Sequence, residues 1–159
     1  MRKKSIFTTV LLLSSLLTTS TIMAMSSTNH IACVKTNEQE IAALFDRWNA
    51  SLKTRNPIKV NANYMENAIL LATISNKPRV NNTERIAYFK GFLSKHPVGK
   101  IDSRTIKIGC NKAIDTGLYT FTLKDGKKVH SRYTFTYHWN GHKWLISSHH
   151  SSVLPEDIK

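Results

Sequence analysis

Arg132-Tyr133-Thr134-Phe135-Thr136-Tyr137-His138-Trp139, then Asn140-Gly141, then Lys143-Trp144-Leu145-Ile146, reads as a strand, a turn and a second strand. Aromatic side chains fall on alternate positions, Tyr133, Phe135 and Tyr137, and hydrophilic ones, Arg132, Thr134, Thr136 and His138, between them. A period of two puts the sets on opposite faces of a strand, one apolar and one polar. Asn140-Gly141 tolerates the positive backbone φ that a tight hairpin requires, so the chain reverses there.

The same period runs through everything after Lys100. Strand-like runs cover 101–110, 113–123, 129–139 and 143–151, and Asp125-Gly126 supplies another hairpin turn. The C-terminal half is therefore predicted to be an antiparallel meander. Upstream the period changes. Thr36-Asn37-Glu38-Gln39 has the form of a capping box, and Ile41, Leu44, Phe45, Trp48 and Leu52 follow at helical spacing. Asn56-Pro57 ends that helix, and Pro57 can open a short second one carrying Val60 and Tyr64 inward. Residues 68–74 read as a strand and 76–82 as a polar loop. Asn81 or Asn82 then caps a third helix, with Ile86, Phe89 and Leu93 on one face, Tyr88 and Phe92 beside them, and an end near His96-Pro97.

The chain begins with Arg2, Lys3 and Lys4, an apolar run over 6–17 broken by Thr8, Thr9, Ser14 and Ser15, and a polar stretch ending at Met23-Ala24. That order matches a secretory signal peptide cleaved after Ala24, and the run is too short and interrupted to span a bilayer. The expected organisation is a signal peptide over 1–24, a flexible segment over 25–32, one domain over 33–156 and a tail over 157–159. About 135 residues would remain after cleavage, enough for one core. The expected location is the periplasm or outside the cell. There, two cysteines, Cys33 and Cys110, most simply form a disulfide. Closing a loop of that length is worth roughly 4 kcal/mol in chain entropy.

The formal net charge is +13, of which Arg2, Lys3 and Lys4 carry three. The other basic residues are scattered and do not interleave with stacking aromatics. A nucleic-acid groove is therefore not expected.

The order of helix, short helix, strand, helix and long curled meander is similar to the nuclear transport factor 2-like fold. The closing residues sharpen the likeness: Gly117-Leu118-Tyr119-Thr120-Phe121, Asp125-Gly126, the strand over 132–137, Lys143-Trp144-Leu145-Ile146 and His149-His150-Ser151-Ser152. Together they resemble the bacterial relatives of the calcium/calmodulin-dependent protein kinase II association domain, which stand beside SnoaL-like proteins. The resemblance implies an α+β cone, with three N-terminal helices packed on a curled antiparallel sheet around a pocket. It also implies a sheet face that supports self-association, most simply as a homodimer. In the kinase this domain is an oligomerisation hub without catalysis of its own. A kinase domain does not fit within 159 residues, so no calmodulin-linked role is implied. The hub pocket carries arginines suited to small carboxylates; at two of those places this chain has Phe135 and Ser151. His150 matches a histidine of the hub's closing motif.

The expected lining is Tyr64, Tyr119, Tyr133, Phe135, Tyr137, His149 and Ser151, apolar with a few hydroxyl handles, which suits a small aromatic or apolar ligand. Arg132, Thr134, Thr136 and His138 form the expected interface. His149 and His150 are adjacent and point to opposite faces, so they do not share a metal without a bulge. With no helical histidine pair, no zinc site and no cofactor are expected. Among the acids, Asp46 falls on a polar stripe and Asp115 near a strand start, and neither reads as clearly buried. General acid–base chemistry would then fall to His149 or His150, in a SnoaL-like isomerase, cyclase or dehydratase. Ser151 and Ser152 lack a nucleophile-elbow setting.

Overall fold

The computed structural model describes residues 32–73 and 75–155. The predicted signal segment 1–24, most of the segment 25–32 and the tail 157–159 lie outside the described residues. The elements run α1 (Glu38–Lys53), α2 (Pro57–Asn61), β1 (Tyr64–Leu71), α3 (Asn82–Leu93), β2 (Val98–Gly109), β3 (Lys112–Thr122), β4 (Lys128–Trp139) and β5 (Trp144–Val153). The sheet order is β1-β5-β4-β3-β2. β2 to β5 form the predicted antiparallel meander, and β1 joins its far edge parallel to β5. The fold is the α+β class expected, with the helices against one face of a curled sheet.

Asn37 caps α1, one position later than the Thr36 box. Its side chain accepts from the Glu40 backbone N–H at 2.9 Å, while Glu40 takes a hydrogen bond from the Thr36 hydroxyl at 2.9 Å. Ile41, Leu44, Phe45, Trp48 and Leu52 are all buried, as their spacing predicts. α2 stops at Asn61, so Tyr64 opens β1 instead of riding on the second helix. β1 starts four residues earlier than read from sequence. The alternation hides that start because the register shifts between Tyr64 and Ile69.

Further register shifts fall at Ile101/Ser103 against β3 and at Thr136/Tyr137 against β5. Such shifts bend strands and increase twist, which lets the sheet curl around α1. At the first of them β2 comes so close to β3 that a Cβ on Gly117 would sit 2.1 Å from the Ser103 carbonyl oxygen. The Asp125-Gly126 and Asn140-Gly141 turns take φ of 79° and 96° at their glycines.

Tyr119, Phe121, Tyr133 and Phe135 pack on Phe45 and Trp48 on the concave face, and Tyr137 stacks on Phe135 beside them. Arg132 is exposed on the other face, with Thr134, Thr136 and His138 half-buried beside it. Cys33 and Cys110 are joined by a disulfide. It fixes the start of the domain to the β2–β3 turn, where the Asn111 side chain also accepts from Val34 N–H at 2.8 Å and donates to Ala32 O at 3.1 Å.

Arg85 corrects the reading of α3. It is fully buried, with no carboxylate partner among the described residues, and Ile86 is only half-buried. Its guanidinium donates to the carbonyls of Ala68, Met65 and Glu66 and to the side chains of Asn61 and Asn82. One cation thereby holds α3 to β1 and α2. The fan of carbonyl dipoles takes the place of a counter-ion.

Candidate functional site

Between α3, the end of β1 and the β3–β4 hairpin lies a cavity of about 540 Å³. Phe89, Phe92, Phe121, Leu123 and Val129 give it apolar walls, and Trp48, Tyr119, Ser131, His149 and Ser151 line it as well. Tyr88 and Phe92, one helical turn apart on α3, stack with centroids 5.9 Å apart.

His149 sits at the centre of the site because β5 pairs with strands on both sides: Phe135 faces it on β4 and Leu70 on β1. Its ring stacks on Phe135 with centroids 4.0 Å apart and is 4% exposed. The Trp48 indole N–H donates to the Tyr64 hydroxyl at 3.1 Å, and that hydroxyl lies 2.9 Å from His149 Nδ1. Indole nitrogen is a donor only, so the single Tyr64 proton is left for Nδ1. With Tyr64 donating to Nδ1, the neutral histidine carries its proton on Nε2, which faces the Tyr119 hydroxyl at 3.5 Å. Burial, with a smaller contribution from His150, pulls the His149 pKa from 6.5 to about 3. The ring therefore stays neutral near pH 7. Burial also raises the phenols of Tyr64 and Tyr119 above the usual tyrosine range, and that of Tyr88 to about 12, so all three remain hydroxyls.

The residues named from sequence divide. Tyr119, His149 and Ser151 lie on the cavity wall, and Ser151 Oγ is hydrogen-bonded to Thr73 Oγ1. Tyr64 stands behind His149 and orients it. Phe135 lies under the imidazole, while Tyr133 and Tyr137 belong to the buried core on the same face. His150 is exposed on the opposite face, paired across the strands with Thr134. The walls supplied by α3 and the hairpin were not named in advance. The i, i+4 pair Tyr88 and Phe92 was the available signal.

A second polar cluster corrects the reading of Asp115, which is fully buried. One carboxylate oxygen accepts from the Tyr133 hydroxyl at 2.7 Å and from Arg104 Nε at 3.1 Å. Burial raises its pKa against the opposing pull of Tyr133 and Arg104. Asp115 is not among the residues lining the cavity. Among the described residues no group of three His, Cys, Asp or Glu side chains is arranged to hold a metal.

The profile of the calcium/calmodulin dependent protein kinase II association domain matches residues 37–155. A solved structure described as such a domain, from Xanthomonas campestris, is 46% identical with a TM-score of 0.73, covering 77% of this chain and 91% of its own. A nuclear transport factor 2-like protein of unknown function from Pseudomonas putida is 19% identical with a TM-score of 0.67, covering 80% and 93%. A protein from Novosphingobium aromaticivorans described as an aromatic ring hydroxylase is 18% identical with a TM-score of 0.61, covering 73% and 87%. At those lower identities the likeness is one of fold. No curated protein matches the sequence.

Proposed function

The chain belongs to the calcium/calmodulin dependent protein kinase II association domain family, and from that premise we propose that it is an exported, self-associating domain whose cavity binds a small, mostly apolar ligand without converting it. The observation that carries the binding reading is the state of His149. Its Nδ1 lone pair is occupied by Tyr64 and its basicity is suppressed, so it offers the cavity an Nε2–H donor rather than a general base. Tyr119 and Ser151 add polar handles among aromatic walls, the usual make-up of a ligand site.

Self-association takes its support from the family and from the outer sheet face. Arg132, Thr134, Thr136 and His138 lie there, and the hydroxyls of Thr134 and Thr136 are steadied by Thr116 at 2.9 Å and Ser147 at 2.8 Å. A partly polar sheet face of this kind suits an isologous homodimer. Export takes its support from the signal-like order of residues 1–24 and from the Cys33–Cys110 disulfide. Native mass spectrometry of protein purified from its host tests the reading. A dimer carrying a retained small molecule, with no alkylatable thiol before reduction and a mature start after Ala24, is the expected result; a ligand-free monomer across micromolar concentrations refutes it.

A second reading keeps the fold and makes the site catalytic, as in a SnoaL-like isomerase, cyclase or dehydratase. Its support is the place of His149 on the cavity wall, and a neighbour of like fold described as an aromatic ring hydroxylase is compatible with it. His149→Ala and His150→Ala separate the two readings when affinity and product formation are measured together. Turnover by the unsubstituted protein, lost on either substitution with affinity retained, establishes the enzyme.

A further inference from the structure

The charges that line the cavity are all of one sign. Arg79, before α3, and Lys95, after it, are both lining residues, and among the described residues no aspartate or glutamate is. The deep end is uncharged: beside the neutral His149 it is lined by Trp48, Tyr119, Ser131 and Ser151. We propose, resting on the binding reading above, that the ligand is an amphipathic organic acid. Its apolar body lies inward against Phe89, Phe92 and Phe121, and its acid group stays at the mouth on the Arg79 guanidinium.

Arg79, not Lys95, is the anchor. The two stand at opposite ends of α3, a helix of 12 residues spanning about 18 Å, so one acid group does not pair with both. Lys95 is an exposed side chain, whereas Arg79 is half-buried and held in place. Its backbone pairs with Leu70 in both directions at 2.9 Å. Nη1 donates to the Lys77 carbonyl, Nη2 donates to Ser75 Oγ at 3.2 Å, and the guanidinium carbon lies 5.9 Å from the Tyr88 ring centroid. These contacts fix the plane of the fork and leave further N–H groups to donate. The acid on this stretch, Glu84, pairs with Lys77 at 2.8 Å and with the Val80 N–H at 3.0 Å, and feels Arg79 only as a smaller, through-space attraction. Arg79 has no carboxylate within salt-bridge distance among the described residues. At the far end of such a ligand, Tyr119, Ser131 and the His149 Nε2–H would meet a hydroxyl or carbonyl oxygen.

Two dyes with one ring framework test the idea: 8-anilinonaphthalene-1-sulfonate, which carries an acid group, and N-phenyl-1-naphthylamine, which does not. Titrations followed by fluorescence, with each dye competed against the other, give both affinities. A charge-assisted hydrogen bond predicts that the sulfonate binds about tenfold tighter at low salt, with the advantage shrinking as salt rises. Arg79→Gln removes that advantage and leaves the neutral dye's affinity within about twofold, while Lys95→Gln changes it by no more than about fivefold. Binding of the neutral dye without a sulfonate advantage overturns the inference and leaves the cavity reading standing. So does an advantage that survives Arg79→Gln. If neither dye enters and displaces the other, the cavity reading falls and this inference with it.

Discussion

Lowering the pH should destabilise this fold chiefly through His149, with Glu84, held below the usual range by Lys77, adding to the loss only at the acid end and Asp115, raised by burial, opposing it there. Its pKa is 6.5 in an open chain and about 3 in the folded protein, because the charged ring would be buried against Phe135 and Trp48. Below pH 6.5 the unfolded chain takes up a proton that the folded chain refuses. Stability is thus fully present above pH 6.5, drains as pH falls, and levels off near pH 3. The loss at pH 5 is about 2 kcal/mol and approaches about 5 kcal/mol at the end of the window. Urea unfolding followed by circular dichroism at pH 7.5, 6.5, 5.5 and 5.0, at one salt and one protein concentration, measures it. His149→Phe cannot titrate, so whatever its absolute stability, it should lack this share of the decline. His150→Ala, on the exposed face, should keep nearly all of it. An equal decline in His149→Phe and the unsubstituted protein would refute the reasoning, since another group would then be responsible.

Arg85→Met takes the guanidinium from three backbone carbonyls and from the Asn61 side-chain oxygen, while Asn82 Oδ1 keeps its hydrogen bond from the Asn61 amide, and should cost at least about 3 kcal/mol, read as a fall in the urea midpoint. Asp115→Ala strands the partly buried Arg104 and the Tyr133 hydroxyl and should cost about 3 kcal/mol or more, with Asp115→Asn less severe because the amide still accepts from Tyr133; equal losses would argue against the hydrogen-bond account. Gly117→Ala drives a methyl into the Ser103 carbonyl, so the expected result is a loss of about 2 kcal/mol or more, with hydrogen exchange accelerating first along β2 and β3.

The parts of the fold that were legible are those whose partners are close in sequence. The meander is set by alternation and hairpin turns, and α1 by a stripe of five apolar residues; both signals are local. β1 was misplaced because its partner, β5, is some eighty positions away and its own register shifts after Tyr64. Arg85 was missed for a related reason. A cation on a helix reads as surface until the carbonyls of Met65, Glu66 and Ala68 are brought to it from another element. Asp115 was recoverable, since it shares strand parity with Tyr119 and Phe121 and so had to face inward. The phase of β5 was less accessible. Trp144, Leu145 and Ile146 are buried in succession beside a register shift, which erases the parity that would have told His149 from His150.

The cavity shows the same boundary between local and non-local information. The aromatic face of β4 was correctly turned inward, but facing inward is not the same as lining the site. Phe45 packs within 6.4 Å of Tyr133 and 6.1 Å of Phe135, so α1 covers that stretch of sheet. Open space remains further along, where α3 and the β3–β4 hairpin approach each other and the Lys124 N–H donates to the Lys95 carbonyl at 2.9 Å. How far α1 reaches across the sheet depends on where the chain turns after Lys53 and on the disulfide that fixes the segment before Glu38. No periodicity within β4 encodes either. His149 therefore meets the Tyr64 hydroxyl at its Nδ1 only when elements far apart in sequence come together, whereas Arg79 is set by contacts with Leu70, Ser75, Lys77 and Tyr88 close to it in the chain.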